Sequence, residues 1–196
     1  MAYKESKKKA HIMKTVLKMI SEGDENRFTT REIARKAKVN QAAINYYFGS
    51  KDNLIKEAEK YYILQATKVT IDAAEGGRSV EDNLLNICLE YSGYVTANLD
   101  LQRNIWGHII AESQTRPEVE EVIQDNFALF KNVIKEIFKK KTDKELSFLS
   151  IILCSALFYP VLLSNYESKV NIGLKTTPES VKEYCKALVN FILSIH

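Results

Sequence analysis

Residues 29–54 hold two short helical patterns on either side of a three-residue turn, and this arrangement constrains the fold more than any other feature of the chain. The sequence there is TTREIARKAKVNQAAINYYFGSKDNL. Thr29, with Glu32 three positions later, is the capping-box pattern that begins a helix. Asn40 is a favoured N-cap for a second helix over Gln41–Phe48. The pattern predicts a helix-turn-helix.

The second of these helices has one apolar face and one face of small and amide side chains. At helical spacing, Ile44 and Phe48 point inward, towards the first helix. The first helix turns three small or branched apolar residues inward, namely Ile33, Ala34 and Ala37. The outward residues of the second helix are Gln41, Ala42, Ala43, Asn45 and Tyr46. A short helix of this kind fits the major groove of DNA, where it must reach base edges between phosphates.

The run AKVNQAAINYYFGSKDNL, residues 37–54, resembles the signature of TetR-type transcriptional repressors, in the subset that reads AAINYxFGSK. The specific resemblance covers residues 9–61, and the remainder agrees in length and helical character. Lys38 stands where the family usually has Gly, and a side chain at positive φ costs on the order of 1 kcal/mol. Asn45 stands where many members place Tyr, which alters the groups that reach the DNA.

The resemblance implies that the second helix reads the bases. Gln41 is expected to contact a base edge, because its amide can bond adenine in two places. Ala42 and Ala43 would touch thymine methyl groups and let the helix approach closely. Asn45 and Tyr46 would reach a base or a phosphate.

Other residues of this segment are implied to contact the phosphate backbone. Thr29, Thr30, Tyr47 and Lys51 would position the protein without reading sequence. Thr29 equally has its capping role, and Tyr47 could equally be a packing residue. The lysines of residues 7–9 could follow phosphates or simply be solvated.

The charge of the chain is unevenly distributed. Residues 1–60 carry 14 Lys and Arg against 8 Asp and Glu, whereas residues 61–196 carry 14 against 17. A basic first segment on an acidic remainder is expected if only the first meets phosphate. The same distribution also suits a solvated face on a Lys-rich protein.

Helical periodicity predicts an all-α chain of about nine helices. Residues 1–50 are predicted to form a three-helix DNA-binding domain, and residues 51–196 a helical effector-binding and dimerisation domain. A continuous fourth helix, from Lys51 to about Ala74, would join them and contain the boundary. One helix precedes the helix-turn-helix, ending near Gly23, and the predicted helices after the fourth span residues 80–98, 101–113, 117–140, 143–165 and 178–195.

The last two predicted helices are candidates for a homodimer interface. Residues 148–163 form an apolar run of 16 residues, shorter than the roughly 20 that a membrane span needs. We therefore expect no membrane segment and a helix buried over most of its circumference. The resemblance implies a four-helix dimer contact, and the alternative is a central helix of a monomer. The last helix would contribute Val181, Cys185, Leu188, Val189 and Ile192.

The middle of the chain carries aromatic residues with polar tips among apolar neighbours. The resemblance implies that some line a small-molecule effector site, with Trp106 and Tyr91 foremost, whereas the alternative is a packed core. The predicted contacts are Tyr62, Tyr91, Tyr94, Trp106, His108, Phe127, Phe130 and Phe158, with Tyr159 a further aromatic residue of the same kind. His108 and Glu112 lie one helical turn apart, but two residues do not make a metal site, and no cofactor is predicted.

The motif content argues against an enzyme. The chain contains no GxSxG, HExxH, GxxxxGK[ST] or CxxC, and its three histidines are scattered. Three isolated cysteines in apolar runs and the lack of a signal-peptide pattern predict buried thiols and a cytoplasmic location. The prediction is a ligand-released repressor of a palindromic operator. A DNA-binding activator or architectural protein without ligand, and a helical adaptor that no longer binds DNA, remain alternatives.

Overall fold

The computed structural model describes residues 2–22, 28–74, 79–111, 117–163 and 177–195, and every regular element in these ranges is an α-helix. The helices are α1 (Ala2–Ser21), α2 (Thr30–Lys36), α3 (Gln41–Phe48), α4 (Lys51–Ala74), α5 (Val80–Thr96), α6 (Leu99–Ala111), α7 (Pro117–Ile137), α8 (Asp143–Leu163) and α9 (Pro178–Leu193). The predicted all-α architecture of about nine helices is confirmed.

Several helices end two or three residues before their predicted ends. Helix α7 ends at Ile137, and Thr142 begins α8 through a second capping box. The Thr142 backbone N–H donates to the Glu145 carboxylate at 2.7 Å, and the Glu145 N–H donates to the Thr142 hydroxyl at 3.4 Å. The predicted extension of α7 to Lys140 is therefore wrong.

The chain divides into two compact units. Unit 1 comprises Met1–Leu64 and Asp100–Gln114, and unit 2 comprises Gln65–Leu99 and Thr115–His196. The chain passes from one unit to the other inside α4, which is an unbroken helix of 24 residues. The division of DNA-binding and effector functions after residue 50 stays a prediction.

Unit 1 is built around branched apolar side chains on α1 to α4 and α6. The fully buried members of this core are Ile12, Val16, Ile20, Ile33, Ile44, Leu54, Ala58 and Ile105. The amide of Asn104 on α6 donates to the Ile20 carbonyl on α1 at 2.8 Å, which ties α6 to the end of α1. Leu64 is exposed because the buried stripe of α4 follows Leu54, Ala58 and Tyr62 at four-residue spacing.

Unit 2 has a separate core in which α5 packs on α7 and α9, and α7 packs on α8. Leu84, Ile87, Ile134 and Leu153 are fully buried there. The residues of α9 predicted to form the dimer contact point into this core, which corrects that assignment: Cys185, Leu188, Val189 and Ile192 are buried, and Val181 packs against them.

The cysteines are part of the unit 2 core, as predicted from their apolar surroundings. Cys88 and Cys185 are fully buried, and all three cysteines are free thiols. Burial raises the pKa of the Cys154 thiol to about 11. The Cys185 thiol donates to the Ser92 hydroxyl at 3.4 Å. These thiols therefore stay protonated at neutral pH and behave as small apolar residues.

The prediction that α8 is buried over most of its circumference is wrong. One stripe along it is exposed, with 52% of Phe148, 52% of Ile151, 44% of Ile152 and 59% of Tyr159 accessible to solvent. The opposite stripe, with Leu146, Leu149, Leu153 and Leu157, is buried in the unit 2 core. Within the described residues, no helix combines the length and the apolar character needed to cross a membrane.

Candidate nucleic-acid interface

Helix α2 begins with the capping box that the sequence predicts. The Glu32 N–H donates to the Thr29 hydroxyl at 3.3 Å, and the Thr29 N–H donates to the Glu32 carboxylate at 2.7 Å. The Thr29 hydroxyl also donates to the Glu32 carboxylate at 3.0 Å, and the two bonds that the carboxylate accepts, first from the Thr29 backbone and then from its hydroxyl, lower the pKa of Glu32. The capping role of Thr29 is confirmed, and its contact with phosphate stays a prediction.

The turn between α2 and α3 is a Schellman motif centred on Lys38. The Val39 N–H donates to the Ala34 carbonyl at 2.9 Å, and the Lys38 N–H donates to the Arg35 carbonyl at 3.2 Å. This pair of bonds requires the left-handed conformation at Lys38, whose φ is 53°. The family usually places Gly at this position because Gly adopts positive φ without steric cost.

Helix α3 occupies the residues predicted for it, Gln41–Phe48. The Asn40 side-chain oxygen accepts from the Ala42 N–H at 2.9 Å and so caps the helix. Ile44 and Phe48 are buried, as predicted. Gln41, Ala42 and Asn45 are exposed, Tyr46 is 76% exposed, and Ala43 is half-buried.

The residues after α3 form the turn that leads into α4. Gly49 has a φ of 73°, and the Ser50 hydroxyl accepts from the Asn53 N–H at 3.1 Å. The Lys51 ammonium lies 5.7 Å from the centroid of the Phe28 ring. Tyr47 is half-buried, and its ring meets that of Tyr46 edge-on at 5.0 Å. Tyr47 therefore has the packing role left open by the sequence, and its phosphate contact stays a prediction.

Two predicted DNA contacts from different helices meet in the structure. The Gln41 side-chain amide donates to the Thr30 hydroxyl at 3.0 Å. No sequence pattern pairs these residues, because they lie 11 positions apart on separate helices.

The lysines near the start of α1 differ in their surroundings. The Lys9 ammonium lies 3.2 Å from the Glu57 carboxylate and 5.4 Å from the Phe48 ring centroid. Lys7 and Lys8 are exposed. Lys9 of α1 therefore contacts both α3 and α4.

The predicted effector residues fall into both units. Tyr62 is buried in unit 1, where Trp106 is half-buried on α6. In unit 2 the Tyr91 and Phe130 rings meet edge-on at 6.3 Å, and Tyr94, Phe127 and Phe158 are half-buried. The side chain of His108 lies outside the described residues, and Tyr159 is exposed.

Sequence reasoning missed several buried or half-buried polar residues of unit 2. The Asn126 amide of α7 donates to the Thr67 hydroxyl of α4 at 2.6 Å, inside unit 2. Thr70 and Ser92 are buried in the same unit. Single Thr, Ser and Asn residues have no periodic signal, so only tertiary packing reveals them. Across the described side chains, no group of three or more His, Cys, Asp or Glu is placed to hold a metal ion.

The capped pair α2 and α3 is a helix-turn-helix, the kind of element that places its second helix in the major groove of DNA. Residues 12–58 match the family profile described as "Bacterial regulatory proteins, tetR family". Residues 12–58 therefore carry the helix-turn-helix of TetR-type regulators, and the described residues share the all-α fold of a solved structure assigned to that family.

Solved structures share this fold at low sequence identity. A Mesorhizobium loti protein assigned to the TetR-family regulators aligns with a TM-score of 0.76 at 15% identity, covering 97% of each chain. FadR from Bacillus subtilis, in complex with stearoyl-CoA, aligns with 0.74 at 13%, covering 95% of this chain and 99% of that one. FadR from Bacillus halodurans, a fatty acid degradation regulator, aligns with 0.73 at 16%, covering 96% and 95%. No curated protein matches the chain in sequence.

The positive φ of Lys38 leads to a stability prediction. Lys38→Gly relieves a strain of about 1–2 kcal/mol, and the greater freedom of Gly in the unfolded chain offsets about 0.5–1 kcal/mol of this. We expect the free energy of unfolding in urea to rise by about 0.5–1 kcal/mol. Lys38→Ala is the matched control, because it removes the same charge and keeps the strain. Equal stability of the two variants would contradict the assignment of strain.

Proposed function

We propose that the protein is a ligand-released repressor that binds a palindromic operator as a homodimer. The observation that carries the DNA-binding part is the exposed face of α3, held by caps and a buried face within the helix-turn-helix. Gln41 and Asn45 stand out from this face, with the small side chain of Ala42 beside them. Such a surface allows close approach to base edges in the major groove.

The charge of residues 1–60 supports this proposal. Their net charge of +6 contrasts with −3 for the remaining residues. Thr29, Thr30, Tyr47 and Lys51 flank the base-reading face as proposed backbone contacts. Association with a polyanion would therefore orient this segment towards DNA.

Dimerisation is proposed from the exposed apolar face of α8 and α9. The Tyr184 hydroxyl of α9 donates to the Ala156 carbonyl of α8 at 2.7 Å, which marks where the two helices meet. Ile152 lies one turn from Ala156, and Phe191, 58% exposed, lies two turns from Tyr184. Exposed apolar side chains therefore occur on both of these neighbouring helices. A second copy would cover this face and make a four-helix contact.

A dimer is also what the proposed binding requires. One helix-turn-helix of this size buries little surface, whereas two of them read half-sites about one helical turn or more apart. The symmetry of a homodimer then matches the symmetry of a palindromic operator.

The effector response is proposed to act through α4. Because this helix is continuous from Lys51 to Ala74, a displacement of its later part would move its first turn as well. A switch from 1:99 to 99:1 needs a differential affinity of about 5.5 kcal/mol. The stearoyl-CoA complex of FadR supports an amphipathic effector for this fold. The site of action would be the cytoplasm, where DNA and effector meet.

DNA recognition is tested by selecting bound DNA from a random pool with the purified protein. We expect a palindromic consensus, and we expect Gln41→Ala to lose about 1–3 kcal/mol of base discrimination at one position of each half-site. Gln124→Ala, at an exposed glutamine of α7, is the matched control and leaves the consensus unchanged. An adaptor that no longer binds DNA would yield no consensus for any of these proteins.

The dimer is tested by placing a charge on the exposed stripe of α8. Ile152→Lys would bury an ammonium group without a partner in the interface, so we expect a monomer at micromolar concentration. Ile123→Lys, at an exposed isoleucine of α7, keeps the dimer. Light scattering after size-exclusion chromatography gives the mass. A monomeric natural protein, or a dimeric Ile152→Lys variant, would rule out this interface.

Effector release is tested by titrating stearoyl-CoA, with stearate and coenzyme A as its separate parts, against the operator complex. A compound that binds the body is expected to weaken operator binding at least about tenfold, and operator DNA should weaken that compound's binding equally. A compound that binds with a measured Kd and leaves operator affinity unchanged would argue for a regulator without ligand control.

A further inference from the structure

The side chains of Thr30 and Gln41 form a hydrogen bond between the first residues of α2 and α3. The Gln41 amide nitrogen donates to the Thr30 hydroxyl oxygen at 3.0 Å. Both helices are capped by other residues, Thr29 and Asn40. The Thr30 hydroxyl is therefore not needed to begin α2 and is available to the glutamine.

We propose that Thr30 is a positioning residue that makes Gln41 select adenine over guanine. This inference rests on the proposed function, in which Gln41 reads a base edge in the major groove. It assigns to Thr30 a task beyond a contact with phosphate, which would carry no sequence information.

The chemistry of the amide group explains the selection. Adenine presents an acceptor, N7, and a donor, the N6 amino group, whereas guanine presents two acceptors, N7 and O6. A glutamine amide has one oxygen and two N–H groups. It reads adenine with the oxygen and the N–H on the same side, and the other N–H points away from the base.

The hydrogen bond to Thr30 uses one of these two N–H groups. The remaining N–H and the oxygen are sufficient for adenine. Guanine would require both N–H groups, or would leave its O6 facing the amide oxygen. Because one N–H is held by Thr30, the glutamine binds guanine less well than adenine. An unfavourable interaction with the wrong base is one way to obtain specificity.

The same bond also restricts the glutamine before DNA binds. Gln41 is exposed and has three side-chain torsions, so an unrestrained amide would lose rotational freedom on reaching the base. A hydrogen bond already present in the protein reduces that loss.

The experiment compares operators with adenine or guanine at the position where Gln41→Ala loses preference. For Thr30→Val, which keeps the shape of threonine without its hydroxyl, we expect the adenine-over-guanine ratio of Kd values to fall about two- to tenfold, the range of one neutral hydrogen bond. Thr30→Ser keeps a hydroxyl and should keep the ratio. Thr30→Ala, which also suits a helix, repeats the test, and thermal unfolding checks that each variant is folded.

A double variant separates positioning from other effects. On the Gln41→Ala background, Thr30→Val should leave the adenine-over-guanine ratio unchanged, because no amide remains to be held. An equal weakening of both operators by Thr30→Val would overturn the inference, as would a guanine at this position in the natural protein's consensus. If the natural protein selects no palindromic consensus, both the proposed function and the role of Thr30 are wrong. If it selects a palindrome and Thr30→Val leaves the adenine-over-guanine ratio unchanged, only the role of Thr30 is wrong.

Discussion

The contact between α2 and α3 is the constraint on which the proposed function depends. Buried Ile33 and Ile44 hold the two helices together, and the Schellman turn at Lys38 sets the angle at which one follows the other. Because the caps satisfy the backbone at both helix starts, α3 can be short and still keep a defined outer face. A helix that reads base edges must hold its side chains in defined positions. The packing of α2 on α3 fixes those positions.

The family usually places Gly at the turn, and the lysine there shows how far the motif tolerates substitution. The two backbone bonds that close the turn are present despite the side chain, so the left-handed conformation is imposed by its surroundings. Apolar burial on both sides exceeds a local cost of about 1 kcal/mol.

In unit 2, one helix leaves an apolar surface exposed outside the core. Its helices bury one stripe each in a shared core, and α8 has a second apolar stripe that this core leaves exposed. An apolar stripe of this length is unfavourable in water, and the proposed dimer would cover it. The continuous α4 passes from unit 1 to unit 2, so the proposed control of DNA binding requires no linker.

The sequence by itself determined the helical class, the bounds of α3 and its N-cap Asn40, because these depend on neighbours within a few residues. Only the tertiary structure decided which surface covers the later helices: α9 turns Cys185 and Ile192 into its own unit, and α6 joins unit 1 through Asn104. It also brought Thr30 to Gln41 and Thr67 to Asn126. Periodicity identifies an apolar stripe but not the surface that covers it, since that surface comes from residues distant in the chain.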